Sequence, residues 1–304
     1  MNLSDFLVKK FIKSENLCES RKNVGCLEAW ISIILNLIIA SLKLLFGFIL
    51  NSIALIADGV HTASDVTTSI IVLIGFKISA LPPDEEHPHG HGRVENIAAL
   101  IIAVLLIITG LQFAEKSVVR IYSNEVVNGN YYIVVILCIT ALIKEWLARF
   151  SVYLGKTIDS STLIADAWHH RTDALATLLV ALGMVLTMFG YNRVDAVMGI
   201  FVSILIIYTG FELGKESANE LIGKKPDPQL LSEIGNTVAG VEGIEDYHKI
   251  NVHNYGTSKV IDLHIQVEKD IGLEKAHEIS HEVEKTLNEK FNARTIVHIE
   301  PLKR

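Results

Sequence analysis

Six stretches of apolar residues follow one another over the first two thirds of the chain: Cys26–Leu50, Ser52–Ala80, Val94–Phe113, Tyr131–Leu154, Leu163–Gly190 and Val194–Leu213. A membrane-spanning helix needs about 20 mostly apolar residues, so the pattern predicts six such helices over residues 26–213, preceded by a polar segment, 1–25. From Lys215 onward the spacing of apolar positions is that of a soluble domain. Pro228–Ala239 and Leu273–Phe291 predict helices, the second with Ala276, Ile279, Val283 and Leu287 as its buried stripe. Asp246–His253, Lys259–Glu268 and Thr295–Glu300 predict strands, with a turn at Tyr255-Gly256-Thr257-Ser258. The order αββαβ implies a small antiparallel sheet with helices on one face. The expected fold class is an all-α, six-helix transmembrane domain joined to a C-terminal α+β domain, residues 214–304.

Composition narrows the function. Of 304 residues, 50% are apolar and only 20% charged, with a mean hydropathy of +0.38; soluble domains average about 25% charged. Three cysteines, Cys18, Cys26 and Cys138, are too few for a disulfide scaffold. A net charge of −7 speaks against a nucleic-acid partner. The first residues, MNLSDFLVKKFIKSENLCESRKN, are too polar for a secretory signal. Six spans put both termini on one side. Nine basic residues fall there (Lys9, Lys10, Lys13, Arg21, Lys22, Lys77, Arg93, Arg149, Lys156), against Lys116, Arg120 and Arg193 opposite. That bias predicts cytoplasmic termini, and the compact chain without targeting signals predicts a bacterial plasma membrane.

A repeat lies inside the apolar spans. Leu55-Ile56-Ala57-Asp58-x-x-His61-x-x-x-Asp65, then Val72 and Gly75, recurs 108 residues later as Leu163-Ile164-Ala165-Asp166-x-x-His169-x-x-x-Asp173, then Val180 and Gly183. Ionisable groups at membrane depth cost roughly 2.5–3.5 kcal/mol each on insertion scales and mark ion paths. His and Asp at i, i+4 share a helix face. Two such helices face to face supply two imidazoles and two carboxylates, the donor count of tetrahedral Zn²⁺. Two carboxylates also balance a dication. The plainer alternative is a pair of interhelical hydrogen bonds. Asp58 and Asp166 are open to being extra ligands but better suit a role orienting the imidazoles, and His170, about 100° around the helix from His169, a structural or ligand-supporting one. A closed four-ligand site leaves no position for a reacting water, which favours carriage over catalysis.

Nine further histidines complete the count of twelve with His61, His169 and His170. Three lie in Asp84-Glu85-Glu86-His87-Pro88-His89-Gly90-His91-Gly92-Arg93, either a metal-holding loop or a polar helix end. Six lie in the tail: His248, His253, His264, His277, His281 and His298. His264 falls on the polar face of its strand, His298 and Glu300 share a strand face, and His277 and His281 a helix face. Six in a tail of 12 basic and 16 acidic residues favour metal binding there. His277-Glu278-Ile279-Ser280-His281 has the spelling of a zinc-protease helix but lies in the soluble tail.

These motifs together resemble the cation diffusion facilitator family of divalent-metal/proton antiporters. The resemblance is carried by SIALIADGVHTASD, PPDEEHPHGHGRVE, ADAWHHRTDA and, in the tail, GVEGIEDYHKI, VIDLHIQVE, AHEISHEVE and IVHIEP, and it spans Glu28 to Pro301. It implies a homodimer whose protomers each carry six helices and a cytoplasmic, metallochaperone-like (ferredoxin-like) αββαβ domain. It implies a transport site at His61, Asp65, His169 and Asp173, a loop site at Asp84, His87 and His91, and a tail site at His264, His277, His298 and Glu300, the last in place of an aspartate. Two departures stand out. Glu245 replaces a bridging histidine, and Gly223 replaces an aspartate that pairs with the basic residue of the GHG loop, here Arg93. The implied activity is export of a divalent cation from the cytoplasm in exchange for protons. Zn²⁺ is favoured, with Fe²⁺, Co²⁺, Mn²⁺ or Cd²⁺ as other ions, and no organic cofactor or enzyme activity is expected. The competing reading is a membrane-anchored metal sensor that does not transport.

Overall fold

The computed structural model describes residues 17–50, 53–122, 131–189, 194–256 and 258–302. Lys9, Lys10, Lys13 and Arg193, with Ser52 and Gly190 at the expected span ends, lie outside the described residues. Seven helices, α1 (Leu17–Ile49), α2 (Ile53–Ser64), α3 (Val66–Ser79), α4 (Val94–Tyr122), α5 (Tyr131–Thr157), α6 (Ser161–Met188) and α7 (Val194–Ile222), are followed by α8 (Pro228–Ala239), β1 (Asp246–Asn254), β2 (Lys259–Val267), α9 (Leu273–Phe291) and β3 (Ala293–Pro301). The chain divides into two compact units, residues 1–80 with 94–218, and residues 81–93 with 219–304. The loop 81–93 thus belongs with the tail.

The first unit is a helical domain of transmembrane type. Among the described residues, Ser20–Ile49, Asp58–Ser79 and Val94–Val119 are long and apolar enough to cross a membrane. The other three expected spans are helical as α5, α6 and α7. Span two is two helices because the hydrogen-bond ladder is interrupted at Asp65, whose backbone nonetheless stays right-handed helical (φ −64°, ψ −19°). Several helices outrun their apolar stretches, since nothing stops them there. α7 continues through polar Lys215–Asn219 until Gly223 takes a left-handed conformation (φ 102°).

Large apolar side chains such as Ile34, Leu37, Ile38 and Leu45 on α1, or Ile101, Val104, Ile108 and Leu111 on α4, remain exposed, as a lipid-facing surface requires. Inside, Val24, Ala29 and Ile33 of α1 meet Val72 and Phe76 of α3, Ile102 of α4, Leu147 and Phe150 of α5, and Leu163 of α6. Arg21 ties α1 to the start of α4 by a bidentate bridge to Glu95 (Nε–Oε2 3.0 Å, Nη2–Oε1 2.8 Å), and Ser160 and Thr162 join the same residue to the start of α6.

In the second unit, β1 pairs antiparallel with β2, and β2 pairs parallel with β3. The parallel pairing departs from the antiparallel sheet expected. Helix α9 carries the chain back over one face of the sheet, and a strand reached by such a crossover enters in the same direction as the strand it left. Ile261, Leu263, Ile265 and Val267 of β2 pack beneath Ile279, Val283 and Leu287 of α9 and Ile234 and Val238 of α8. The other face of the sheet is left for polar residues.

Gly25 on α1 sits against the ring of Phe76, which a β-carbon there would overlap. Gly25→Ala should therefore destabilise the protein by about 1–3 kcal/mol, the usual cost of overpacking. Thermal unfolding in detergent should show the loss, and Gly25→Ala/Phe76→Leu should recover part of it.

Candidate metal-transport site

The duplicated motif converges. α6 carries His169 and Asp173 on one face and packs along α5, while Asp65 lies at the α2–α3 junction, one turn after His61. His169 Nε2 is 3.9 Å from Asp65 Oδ1 and 3.6 Å from Asp173 Oδ2, and His61 Nε2 is 3.9 Å from Asp65 Oδ1. Donor atoms of His61, Asp65 and Asp173 lie within 4.8 Å of one another. Asp65, His169 and Asp173 are buried, whereas the His61 side chain is 54% exposed and forms the open rim.

A fifth member, outside the repeat, completes the group. Lys144, in the middle of α5 and 1% exposed, places its ammonium between the two carboxylates, 2.6 Å from Asp65 Oδ2 and 2.8 Å from Asp173 Oδ2. The signal was available: a lone lysine inside CITALIKEWLA must find an anion at that depth. Lys144 changes the charge balance. Two carboxylates and one ammonium sum to −1, so a dication faces a site already half neutralised and competes with Lys144 for the same oxygens.

The outer aspartates are occupied differently from one another. Asp58 forms an ion pair with the buried Lys43 of α1 (2.7 Å), which also donates to Thr62 (3.0 Å). Asp166 does not orient His169; its Oδ2 is 3.2 Å from Nε2 of His170, which also meets Ser32 Oγ at 2.7 Å.

In the loop, Asp84, His87 and His91 form one group, with His87 Nδ1 and His91 Nε2 each 3.4 Å from an Asp84 oxygen. The backbone N–H of His87 donates to Asp84 Oδ1 (2.7 Å) and holds that carboxyl below its usual range, with a second donation from Glu86 N–H (3.1 Å). The loop rests on the β1–β2 turn. His89 stacks on Tyr255 (centroids 4.6 Å apart), and Arg93 lies 4.2 Å over the same ring and donates to the Asn254 carbonyl (3.1 Å). Arg93 is thus served without an acidic residue at 223. Gly92 is required because a β-carbon there would overlap the Tyr255 carbonyl.

In the tail, register builds the site. His248 pairs with His264 across β1–β2, and His264 with His298 across β2–β3, so three imidazoles form a row over the sheet. Their ring centroids are 5.2 and 4.5 Å apart. Glu300 joins them, 2.8 Å from His264 Nδ1 and 3.4 Å from His248 Nε2, and the hydrogen bond from His264 holds its carboxyl below the usual range. Donor atoms of His248, His264 and Glu300 lie within 4.8 Å of one another. His248 was not singled out because a bulge between His248 and Asn251, with Lys249 at φ 53°, shifts the register, and no periodicity shows that. His277 lies beside His281 on α9 (centroids 6.4 Å) rather than in this row.

Lys144→Met should leave two buried carboxylates uncompensated, at a cost of about 3–5 kcal/mol. Thermal unfolding should show the lowered stability, and saturating Zn²⁺ or Cd²⁺ should recover more of it in the variant than in the parent.

The chain is similar to known proteins over most of its length. Residues 29–222 match the cation efflux transmembrane domain, and residues 226–302 the cytoplasmic domain of cation efflux proteins. An uncharacterized transporter of Methanocaldococcus jannaschii is 35% identical over 271 residues, covering 89% of this chain and 96% of the relative. The manganese efflux system protein MneP of Bacillus subtilis is 29% identical over 294 residues, covering 94% and 99%. Metal tolerance protein C1 of Arabidopsis thaliana is 32% identical over 276 residues, covering 85% of this chain and 59% of the relative. A His/Asp quartet, buried except at His61, on helices of transmembrane type is thus found in a chain matched over both domains, and the chain belongs to the cation efflux, or cation diffusion facilitator, family.

Proposed function

We propose that this member of the family exports divalent metal ions from the cytoplasm in exchange for protons, with His61, Asp65, His169 and Asp173 as the transport site. The observation that carries the proposal is the meeting of the two repeats at one buried dicarboxylate, 2.6 and 2.8 Å from the Lys144 ammonium. An arriving dication displaces Lys144 from Asp65 and Asp173 and takes neutral imidazoles as its remaining ligands. A free imidazole titrates near ~6.5, and metal ligation requires the deprotonated ring. A proton from outside therefore opposes the ion at the same nitrogens and helps expel it. The returning ammonium opposes it at the oxygens. Both exchanges weaken binding enough for release, which a carrier needs and a storage site does not.

Two nitrogen and two oxygen donors suit tetrahedral Zn²⁺, which we take as the favoured cargo. Fe²⁺ and Co²⁺ accept similar ligands, and Mn²⁺ is brought in by the manganese efflux protein among the relatives. We place the protein in the plasma membrane as a homodimer with cytoplasmic termini, its transport domain at residues 26–213 and its metal-binding, dimerising domain at 214–304. The loop group, Asp84, His87 and His91, and the tail group, His264, Glu300, His298 and His277, with His248 added on geometry, would hold regulatory metal. Their oxygen and imidazole donors fit Zn²⁺. Loading the tail would favour the closed dimer by differential binding.

Proteoliposomes under a pH gradient test the reading. Zn²⁺ flux driven by the gradient should be lost in Asp65→Ala/Asp173→Ala, and a panel of Fe²⁺, Co²⁺, Mn²⁺ and Cd²⁺ ranks the cargo. A well-folded double variant that still transports would remove the site assignment. Absence of flux for every ion, with metal still held by the tail, would favour a sensor.

A further inference from the structure

Five carboxylates are buried among the described residues of the helical unit: Glu28, Asp65, Glu95, Asp166 and Asp173. Three have a cationic side chain against them, Glu95 from Arg21 and Asp65 and Asp173 from Lys144. Glu28 on α1 and Asp166 on α6 have none among the described residues. They face each other with His170, all three at 0% exposure, and donor atoms of the three lie within 4.8 Å of one another. Glu28 Oε2 and both Asp166 oxygens accept no hydrogen bond there. Such groups lose hydration, and the one contact that offsets the loss is that of Asp166 Oδ2 with His170 Nε2 at 3.2 Å.

Around this gap, among the described residues, serine hydroxyls supply the hydrogen bonds. Ser151 of α5 donates to Glu28 Oε1, Ser32 of α1 meets His170 Nε2 at 2.7 Å, and Ser69 of α3 meets Ser32 at 2.8 Å. Four helices therefore close over two opposed carboxylates and an imidazole. Two facing carboxylates cannot both stay ionised away from water without a positive charge between them. The donor set, two oxygens and one ring nitrogen at metal-ligand reach, suits a divalent cation with oxygen or water completing its shell.

We propose that Glu28, Asp166 and His170 form a second intramembrane divalent-cation site, one helical turn from the quartet along α6. His170 adjoins His169, their ring centroids 5.8 Å apart, so the two sites lie on neighbouring faces of one helix. The assignment concerns binding alone and does not require the quartet to transport.

Metal content decides it. Full-length protein in detergent is dialysed to equilibrium with Zn²⁺, and bound metal per protomer is counted in two backgrounds, the parent and Asp65→Ala/Asp173→Ala. Glu28→Gln/Asp166→Asn should lose one equivalent in both, while Asp65→Ala/Asp173→Ala alone loses a different one. An unchanged count in both backgrounds would overturn the proposal and leave the carboxylates sharing a proton. Should the double variant fail to fold, His170→Gln keeps both carboxylates and the contact with Ser32. It should weaken that equivalent by more than about tenfold, the least that even an outer partner of a metal is worth. Unaltered affinity in His170→Gln would likewise overturn it.

Discussion

One buried ammonium organises the helical unit. Lys144 stands on α5 between Asp65, at the α2–α3 junction, and Asp173 on α6. Neither carboxylate could remain charged in so dry a position alone, and neither could the lysine. The three therefore specify one another, and the packing of α6 along α5 and the break in span two both serve that arrangement. The same interaction bears on any second cation at the site. Its oxygens already hold a cation of the protein's own, which sets a limit on how tightly any other can be held.

Charge is managed carbon by carbon elsewhere in the unit. Lys43 of α1 answers Asp58, and Arg21 answers Glu95 where α1, α4 and α6 come together. Asp58 and Asp166 occupy equivalent places in the repeat, yet one faces a lysine and the other a histidine and a glutamate. The duplication is thus symmetric in its His–Asp pairs and asymmetric in its surroundings, because α1 approaches both repeats but offers a different residue to each.

The tail and loop show a different way of gathering donors. In the sheet, cross-strand register puts His248, His264 and His298 side by side, and the apolar face beneath keeps that register from slipping, since a one-residue shift would turn Ile261, Leu263 and Ile265 to water. In the loop, Tyr255 replaces an ion pair with a ring. It takes Arg93 on its face and lets Gly92 approach its carbonyl, so the absence of an acidic residue at 223 leaves the loop no less attached to the turn.

The apolar spacing by itself determined where the helices run and the αββαβ order, because burial from water or into lipid acts on each segment locally. The repeat determined which histidines and aspartates would meet, since ionisable groups inside apolar helices have few other uses. What the sequence left open depends on distance in space rather than along the chain. Lys144 is separated from its partners by 79 and 29 residues, and Glu28 from Ser151 by 123. The parallel entry of β3 followed from α9 crossing one face, and the place of His248 in the histidine row followed from a bulge. Asp166, read as a support for His169, turned to His170 and Glu28 because packing, not periodicity, chooses between neighbouring residues of a helix. Only the folded chain brings such groups within reach of one another, and only there does the cost of burying charge decide the pairings.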